Sequence, residues 1–385
     1  MAVRHVSMRV TDASAGFGLG LLDRLLVRPD SGNVFISPLS ATIALSMAAS
    51  AAQGDTRAAM LKAMGLDPTV DPSGEARQTI ERLAQSDANA QLELAQAVWA
   101  QQGLQLSPAY VAKLRDDYKA QLANVDFSSP GAPGVVNAWV DAATHHKIDH
   151  LVDSFDPATV AYLVNATFFH ALWASEFKPM SGTADFNNSS GKSTKVSMMQ
   201  RDESVTELRT PGFAAELLPY KGGRFSAVLI LPDGALTPAG FSSLLTLDYW
   251  KQTLQYFHNA VGSSLGGQCK TWAGGTETKV DCNGSLQMPK FKVEYSADLT
   301  GVLHAMGMPI PGAGVPAICG GCMVSDVVQK TYLEVDEKGT TAAAVTGVAV
   351  ATALRIPTVV NRPFVLALID NVSDAPIFLG VIGSL

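Results

Sequence analysis

Residues able to do chemistry are few in this chain and poorly assembled in sequence. Gly262, Ser264 and Gly266 satisfy the G-x-S-x-G spacing of a hydrolase nucleophile, but that serine needs a strand before it and a helix after it. Gly267, Gln268, Cys269 and Lys270 follow instead, so the segment reads as a loop. His146 and His150 lie four apart with Asp149 beside them, a spacing that could present two imidazoles on one helix face to a metal. No third ligand is apparent, and surface histidines are the simpler reading. Of the four cysteines, Cys269 and Cys282 bracket a Gly-containing stretch, while Cys319 and Cys322 form one C-x-x-C knuckle. One knuckle is half a zinc site, so disulfides are expected, first between Cys269 and Cys282 and second between Cys319 and Cys322. The Gly16, Gly18 and Gly20 run is an apolar helix, because no strand precedes it as a phosphate loop requires. The chain reads as a protein with no catalytic residues, no metal and no cofactor.

The elements that would carry these residues suggest one large soluble unit. The 385 residues hold no Pro/Ser/Gly linker or charge run, so a single domain over residues 1–385 is expected. Charged residues make up 16% and hydrophobic ones 47%, against about 25% charged in typical soluble proteins; a large core can form. The net charge of −7 and the lack of a basic, heparin-type patch argue against nucleic acid or an anionic membrane as partner. Residues 342–360 are the only candidate membrane span, but they contain Gly347, Arg355 and Pro357 and fall short of the roughly 20 apolar residues a helix needs. Met1 to Ala13 has no apolar h-region, so the protein is cytoplasmic or lacks its signal peptide in this chain.

Periodicity predicts helices over 15–26, 40–64, 107–122 and 135–146, with a Pro/Gly/Asp loop over 66–75. Strands are predicted over 92–100, 214–218, 225–231, 286–293, 332–335 and 365–368. Mixing without βα alternation indicates α+β.

One segment conflicts with its own surroundings. From Thr341 to Ala353 the chain has no charge, no aromatic and no side chain larger than valine, a composition that favours a strand. Thr340, Ala342, Ala344, Thr346, Val348, Val350 and Thr352 would share one face. Yet Glu334 to Lys338 before it, and Arg355 and Pro357 after it, are loop and strand-end signals flanking an aggregation-prone stretch. Such conflict tends to mark function, and it reads as a strand held out of its sheet until something releases it.

Here the chain resembles the serpin family, whose reactive loop begins with a hinge of the form E-x-G-T-x-A-A-A-x-T. Glu337, Gly339, Thr340, Ala342, Ala343, Ala344 and Thr346 match it position by position. Asn33 to Ser40, Asn137 to Ile148, Leu163 to Trp173, Leu218 to Gly222, Met288 to Phe291, Arg362 to Phe364 and Phe378 to Gly380 resemble further family motifs in the expected order. His146 and Ala171 stand where the family usually has Gly, and Gln329 where it commonly has His. The resemblance implies a large central sheet, two smaller sheets, a helix-rich N-terminal part and an exposed loop over 334–361; residues 261–284 form a Cys-containing insertion. It further implies that Ser40, Asn165 and Gln329 cluster beneath the sheet where strands must part, an amide replacing imidazole as donor and acceptor, and that Trp173 lies where the hinge enters.

By the same resemblance the chain is a suicide inhibitor acting as a monomer on a serine protease. The protease would form an acyl-enzyme on the loop, and residues 340–353, about 46 Å at ~3.3 Å each, would then insert as a new strand. Spacing from Gly339 puts the cut between Ala353 and Leu354, with Thr352 or Arg355 as alternative residues before it. A small side chain there favours elastase-like or subtilisin-like targets. Disulfides favour an extracellular or periplasmic home, with cytoplasm not excluded. A non-inhibitory serpin-fold binding or chaperone-like protein is the alternative.

Overall fold

The structure, a computed structural model, describes residues 10–28, 32–85, 89–156, 158–210, 212–234, 238–262, 268–273, 276–281, 284–324, 326–340 and 357–385. Its centre is a six-stranded sheet in the order Phe291–Asp298, Val328–Val335, Gly339–Thr340, Ala161–Leu172, Ala90–Gln101, Gln121–Val125. A nine-stranded sheet runs Asn33–Ile36, Ala375–Ile382, Phe364–Asp370, Phe225–Pro232, Phe213–Pro219, Ser193–Thr210, Gly284–Pro289, Thr358–Val359, with Lys178–Asn187 pairing beside Ser193–Thr210. The two smaller sheets expected from sequence are therefore joined. Strand Ser193–Thr210 pairs along its first half with Lys178–Asn187 and Gly284–Pro289, and along its second half with Phe213–Pro219.

Helices sit on both faces of the six-stranded sheet. Val10–Leu26 crosses Pro38–Ala51 so closely that a Cβ on Gly18 would lie 2.4 Å from the Pro38 ring. Pro38–Ala51 backs strand Ala161–Leu172, and it begins two residues earlier than its periodicity suggested because Pro38, with its fixed φ, suits the first helical position. On the opposite face, Val136 and Val140 of helix Ala132–Ala143 pack with Ile148 against Trp99 and Val164. His145 and His146, just beyond this helix, have φ of 51° and 61°. That left-handed geometry explains why glycine is usual at residue 146; here the imidazole bonds to Asp141 at 2.7 Å instead.

Four element boundaries depart from the sequence reading. The helix expected over 40–64 is two helices, Pro38–Ala51 and Gly54–Ala63, broken where Gly54 takes φ of 54°. The helix expected over 107–122 ends at Asp116, since Lys119 is left-handed at φ 52° and Gln121–Val125 pairs with strand Ala90–Gln101. Strand pairing overrides helical periodicity there. Residues 286–293 are two strands in different sheets, separated at Lys290. The loop expected over 66–75 gives way at Ser73 to helix Ser73–Leu83. The insertion contains an antiparallel ribbon, Gln268–Ala273 with Thr276–Asp281. Ser264 and Cys282 lie outside the described residues, and with Cys282 the first-choice disulfide. Cys319 and Cys322 are disulfide-bonded, their Cα atoms 5.2 Å apart.

Strands Phe225–Pro232, Phe364–Asp370 and Ala375–Ile382 are buried along their whole length. Gly380 pairs with Phe35 and Leu366, and a Cβ there would meet the Val34 carbonyl oxygen at 2.2 Å. Backbone cannot yield as a side chain can. Gly380→Ala should therefore cost about 1–3 kcal/mol of stability, read as a lowered denaturation midpoint; an unchanged midpoint would contradict this close approach.

Candidate functional site

The hinge enters the six-stranded sheet at its head. Gly339 pairs with Leu172, and Thr340 pairs with Ala171 on one side and Val335 on the other. Both residues are buried. Only glycine fits at 339, because a Cβ would lie 2.0 Å from the Ala171 carbonyl oxygen and 2.9 Å from the Leu172 Cα. The turn before it is shaped by Asp336, whose carboxylate accepts from the N–H groups of Lys338 at 2.9 Å and Gly339 at 3.1 Å. Glu337 is ion-paired with Lys290 at 3.0 Å, in the break between Gly284–Pro289 and Phe291–Asp298.

Trp173 and Tyr220 make the wall against which this hinge rests. Their rings stack at 4.4 Å with 9° between planes. Trp173 donates from its indole to the Asp336 carbonyl at 3.0 Å and from its backbone to Lys338 at 2.7 Å. The Tyr220 hydroxyl is 2.8 Å from the Thr340 hydroxyl. Burial raises the Tyr220 phenol above its usual value, so it stays neutral.

Lower in the sheet, Ser40 hydrogen-bonds to the Asn165 carboxamide. Gln329 does not join that pair directly. It accepts from the Ser37 N–H and donates to the Ser37 carbonyl, both at 3.0 Å, which clasps strand Val328–Val335 to the start of helix Pro38–Ala51. Both amide roles are used. Ala342, Ala343, Ala344, Thr346, Thr352, Ala353, Leu354 and Arg355 lie outside the described residues. His146 and His150 face separate carboxylates, Asp141 at 2.7 Å and Asp153 at 3.0 Å, and no set of three metal-ligating side chains occurs among the described residues. Sequence reasoning did not single out Asp336, Tyr220, Lys290 or Ser37 for this site. Ser37, Tyr220 and Lys290 do lie within recognised motifs, and the opposite charges of Lys290 and Glu337 were the one further signal.

The chain resumes after the loop as strand Thr358–Val359, parallel to Gly284–Pro289. A polar cluster, buried except for Arg209, underlies it. Arg209 donates to the Thr358 hydroxyl at 2.6 Å and pairs with Glu207, while Glu216 lies directly opposite Glu207 across the strand pair. Burial first, and the Glu207 charge second, push the Glu216 carboxyl well above its usual value, against smaller opposing effects of Thr358, Arg209 and Arg201.

The two-residue strand Gly339–Thr340 thus begins between two longer strands, and a run of small residues follows it in sequence. A family model described as serpin (serine protease inhibitor) matches residues 12–384, and the chain belongs to that family. Iripin-3 of Ixodes ricinus is 31% identical, over 98% of this chain and 95% of its own. Among solved structures, native tengpin, a thermophilic serpin, superposes with a TM-score of 0.82 at 27% identity, covering all of this chain and 96% of its own. Thyroxine-binding globulin in complex with thyroxine gives 0.82 at 22% identity over 97% and 98%, a likeness of fold. No helix among the described residues is long and apolar enough to cross a membrane.

Two outcomes follow from this geometry. Gly339→Ala should push the hinge out of the sheet, lowering stability by about 1–3 kcal/mol and exposing residues 337–340 to limited proteolysis; a protected hinge would contradict the collision with Ala171. Glu216 carries a raised carboxyl in the folded state, so its stabilising contribution is whole below its usual value of 4.5 and is lost as pH rises through the folded-state value. Glu216→Gln should flatten this decline, melting several degrees above the parent near pH 8. Parallel pH profiles for the two would show that Glu216 is not the group responsible.

Proposed function

We propose that the protein is an inhibitory serpin that traps a serine protease as an acyl-enzyme by inserting its cleaved loop into the six-stranded sheet. The observation carrying this reading is the two-residue strand Gly339–Thr340, seated between Val328–Val335 and Ala161–Leu172. Continued six residues further in the same register, Thr346 falls level with Gln329 and Asn165. A small polar side chain then meets the polar groups beneath the sheet. The even-numbered side chains from Thr340 to Thr352 would all turn inward, and none is bulky or charged.

Attack by the protease serine on the carbonyl carbon of Ala353 breaks the bond to Leu354 and leaves an ester. Leu354 becomes a new N-terminus, and the arm from Thr340 is free at its far end. Insertion then competes with water for the ester, carrying the protease some 46 Å at ~3.3 Å per residue. Thr352 and Arg355 are the alternative residues before the cut. Alanine there suits an elastase-like or subtilisin-like pocket. The Cys319–Cys322 disulfide supports an extracellular or periplasmic location, and a monomer suffices for the mechanism.

Incubation with elastase and subtilisin should give a complex that survives boiling in detergent, with release of a peptide beginning at Leu354. Thr340 is buried in the sheet before cleavage, so the test falls on the next inward positions: Ala344→Arg must bury an unpaired charge to insert, at a cost of several kcal/mol, and should be cut at the same bond as an ordinary substrate. Ala353→Arg should shift preference toward trypsin-like enzymes with trapping intact. One-to-one inhibition by Ala344→Arg would sink the insertion mechanism, while cleavage without complex across all protease classes would favour a non-inhibitory binding role.

A further inference from the structure

Below the level of Thr340, strands Ala161–Leu172 and Val328–Val335 flank a cavity of about 680 Å³. Its back wall is helix Pro38–Ala51, which turns Ala41, Ala44 and Ala48 toward it, and its lower end is closed by the loop carrying Val315, Ile318 and the Cys319–Cys322 disulfide. Three alanines on the helix, beside the larger Leu45, leave the space. Close-packed interiors hold few voids larger than a water molecule, and this one falls in the range of roughly 300–1,000 Å³ typical of small-molecule sites.

The charge at its rim has one sign. Asp156 and Asp326 line the cavity together with the Tyr162 ring, and no Lys, Arg or His among the described residues does so. Asp156 spends one oxygen on the Ala158 N–H at 2.7 Å. Asp326 is felt inside: burial first, and its charge second, push the Tyr162 phenol up to about 12. An apolar body would fit the wall, and a positive group would meet two carboxylates.

We infer that this cavity binds a small molecule with a compact apolar body and one cationic group, the cation lying against Asp156 and Asp326. In the register set by Thr340, residue 348 of an inserted arm falls level with Val327 and Leu163, both of which line the cavity. Ligand and arm therefore exclude each other, a consequence that rests on the inhibitory reading given above. The bound ligand would block insertion of the cut arm and so turn the protein from inhibitor toward substrate.

The test uses the uncleaved full chain with diphenylpropylamine, diphenylpropanol and diphenylpropanoic acid, three probes sharing one apolar body, titrated by calorimetry. The amine should bind tightest and the acid weakest. Asp156→Asn and Asp326→Asn should each weaken the amine about two- to five-fold, the scale of an exposed ion pair, and leave the alcohol unchanged. Ala44→Leu, which fills the space from a half-buried position, should abolish binding of all three; should that variant misfold, the two surface aspartate variants still decide. Equal affinity for the three probes, or amine binding that survives Ala44→Leu, would overturn the site. Saturating amine should also raise the number of inhibitor molecules consumed per protease trapped. A protein that binds the amine here yet traps no protease would remove the inhibitory reading and leave the binding site standing.

Discussion

The molecule depends on an incomplete strand pairing at its centre. Val328–Val335 and Ala161–Leu172 are joined, among the described residues, through a ladder only two residues long, Gly339 and Thr340. Facing strand edges ordinarily demand partners for their N–H and C=O groups, so the gap below must be managed from both faces. Behind it, Gln329 clasps Ser37 and Ser40 clasps Asn165. In front, the segment after helix Ala132–Ala143 straddles the gap. His145 pairs with Glu93 at 3.1 Å on one side, while Lys147 reaches Glu334 at 3.4 Å and the Tyr332 ring at 5.4 Å on the other. The period-two burial of Val328–Val335 makes this possible: Gln329, Thr331, Leu333 and Val335 point inward, leaving Lys330, Tyr332 and Glu334 for the strap.

Three glutamates around the loop's two ends show how environment assigns work to one residue type. Glu337 meets Lys290 at 3.0 Å at partial exposure and fixes the hinge by charge. Glu334 bonds to the Tyr332 hydroxyl at 2.7 Å and to Lys147, and these partners hold its carboxyl below the usual range. Glu216 is fully buried opposite Glu207, and burial with that neighbouring charge outweighs Thr358, Arg209 and Arg201, raising its carboxyl well above the usual range. The hinge and strap ends are therefore held by ionised carboxylates. Strand Thr358–Val359 instead sits over a glutamate whose carboxyl is raised, which couples its anchorage to pH.

Much of this was legible in sequence because it is local. The hinge announces itself through small residues after Glu337, and helix Val10–Leu26 and strand Phe225–Pro232 through plain periodicity. What was not legible comes from partners far away in the chain. Residues 117–122 continue a helical pattern, yet Gln121–Val125 is claimed by strand Ala90–Gln101. Gln329 could be foreseen to replace a histidine, but not to bond to Ser37 on both sides, because that geometry depends on where Pro38 starts its helix. Glycine at 339 was visible as a motif; its reason, the carbonyl of Ala171 at 2.0 Å from the absent Cβ, needs the sheet.

The small residues of the arm and the small residues of the helix behind the gap answer the same constraint. A strand entering between Val328–Val335 and Ala161–Leu172 must bring side chains that fit over Ala41, Ala44 and Ala48 on one face and under the strap on the other. Larger residues on the helix would fill the cavity and stabilise the uncleaved protein, but they would remove the space the arm is to occupy. Larger residues on the arm would reach the same impasse from the other side. On the insertion mechanism proposed above, the void is stability withheld from the uncleaved state and released when a strand fills it. On that mechanism, a molecule that fills it first would take up part of that release, and the apolar wall and acidic rim of the gap would bear on inhibition as well as on packing.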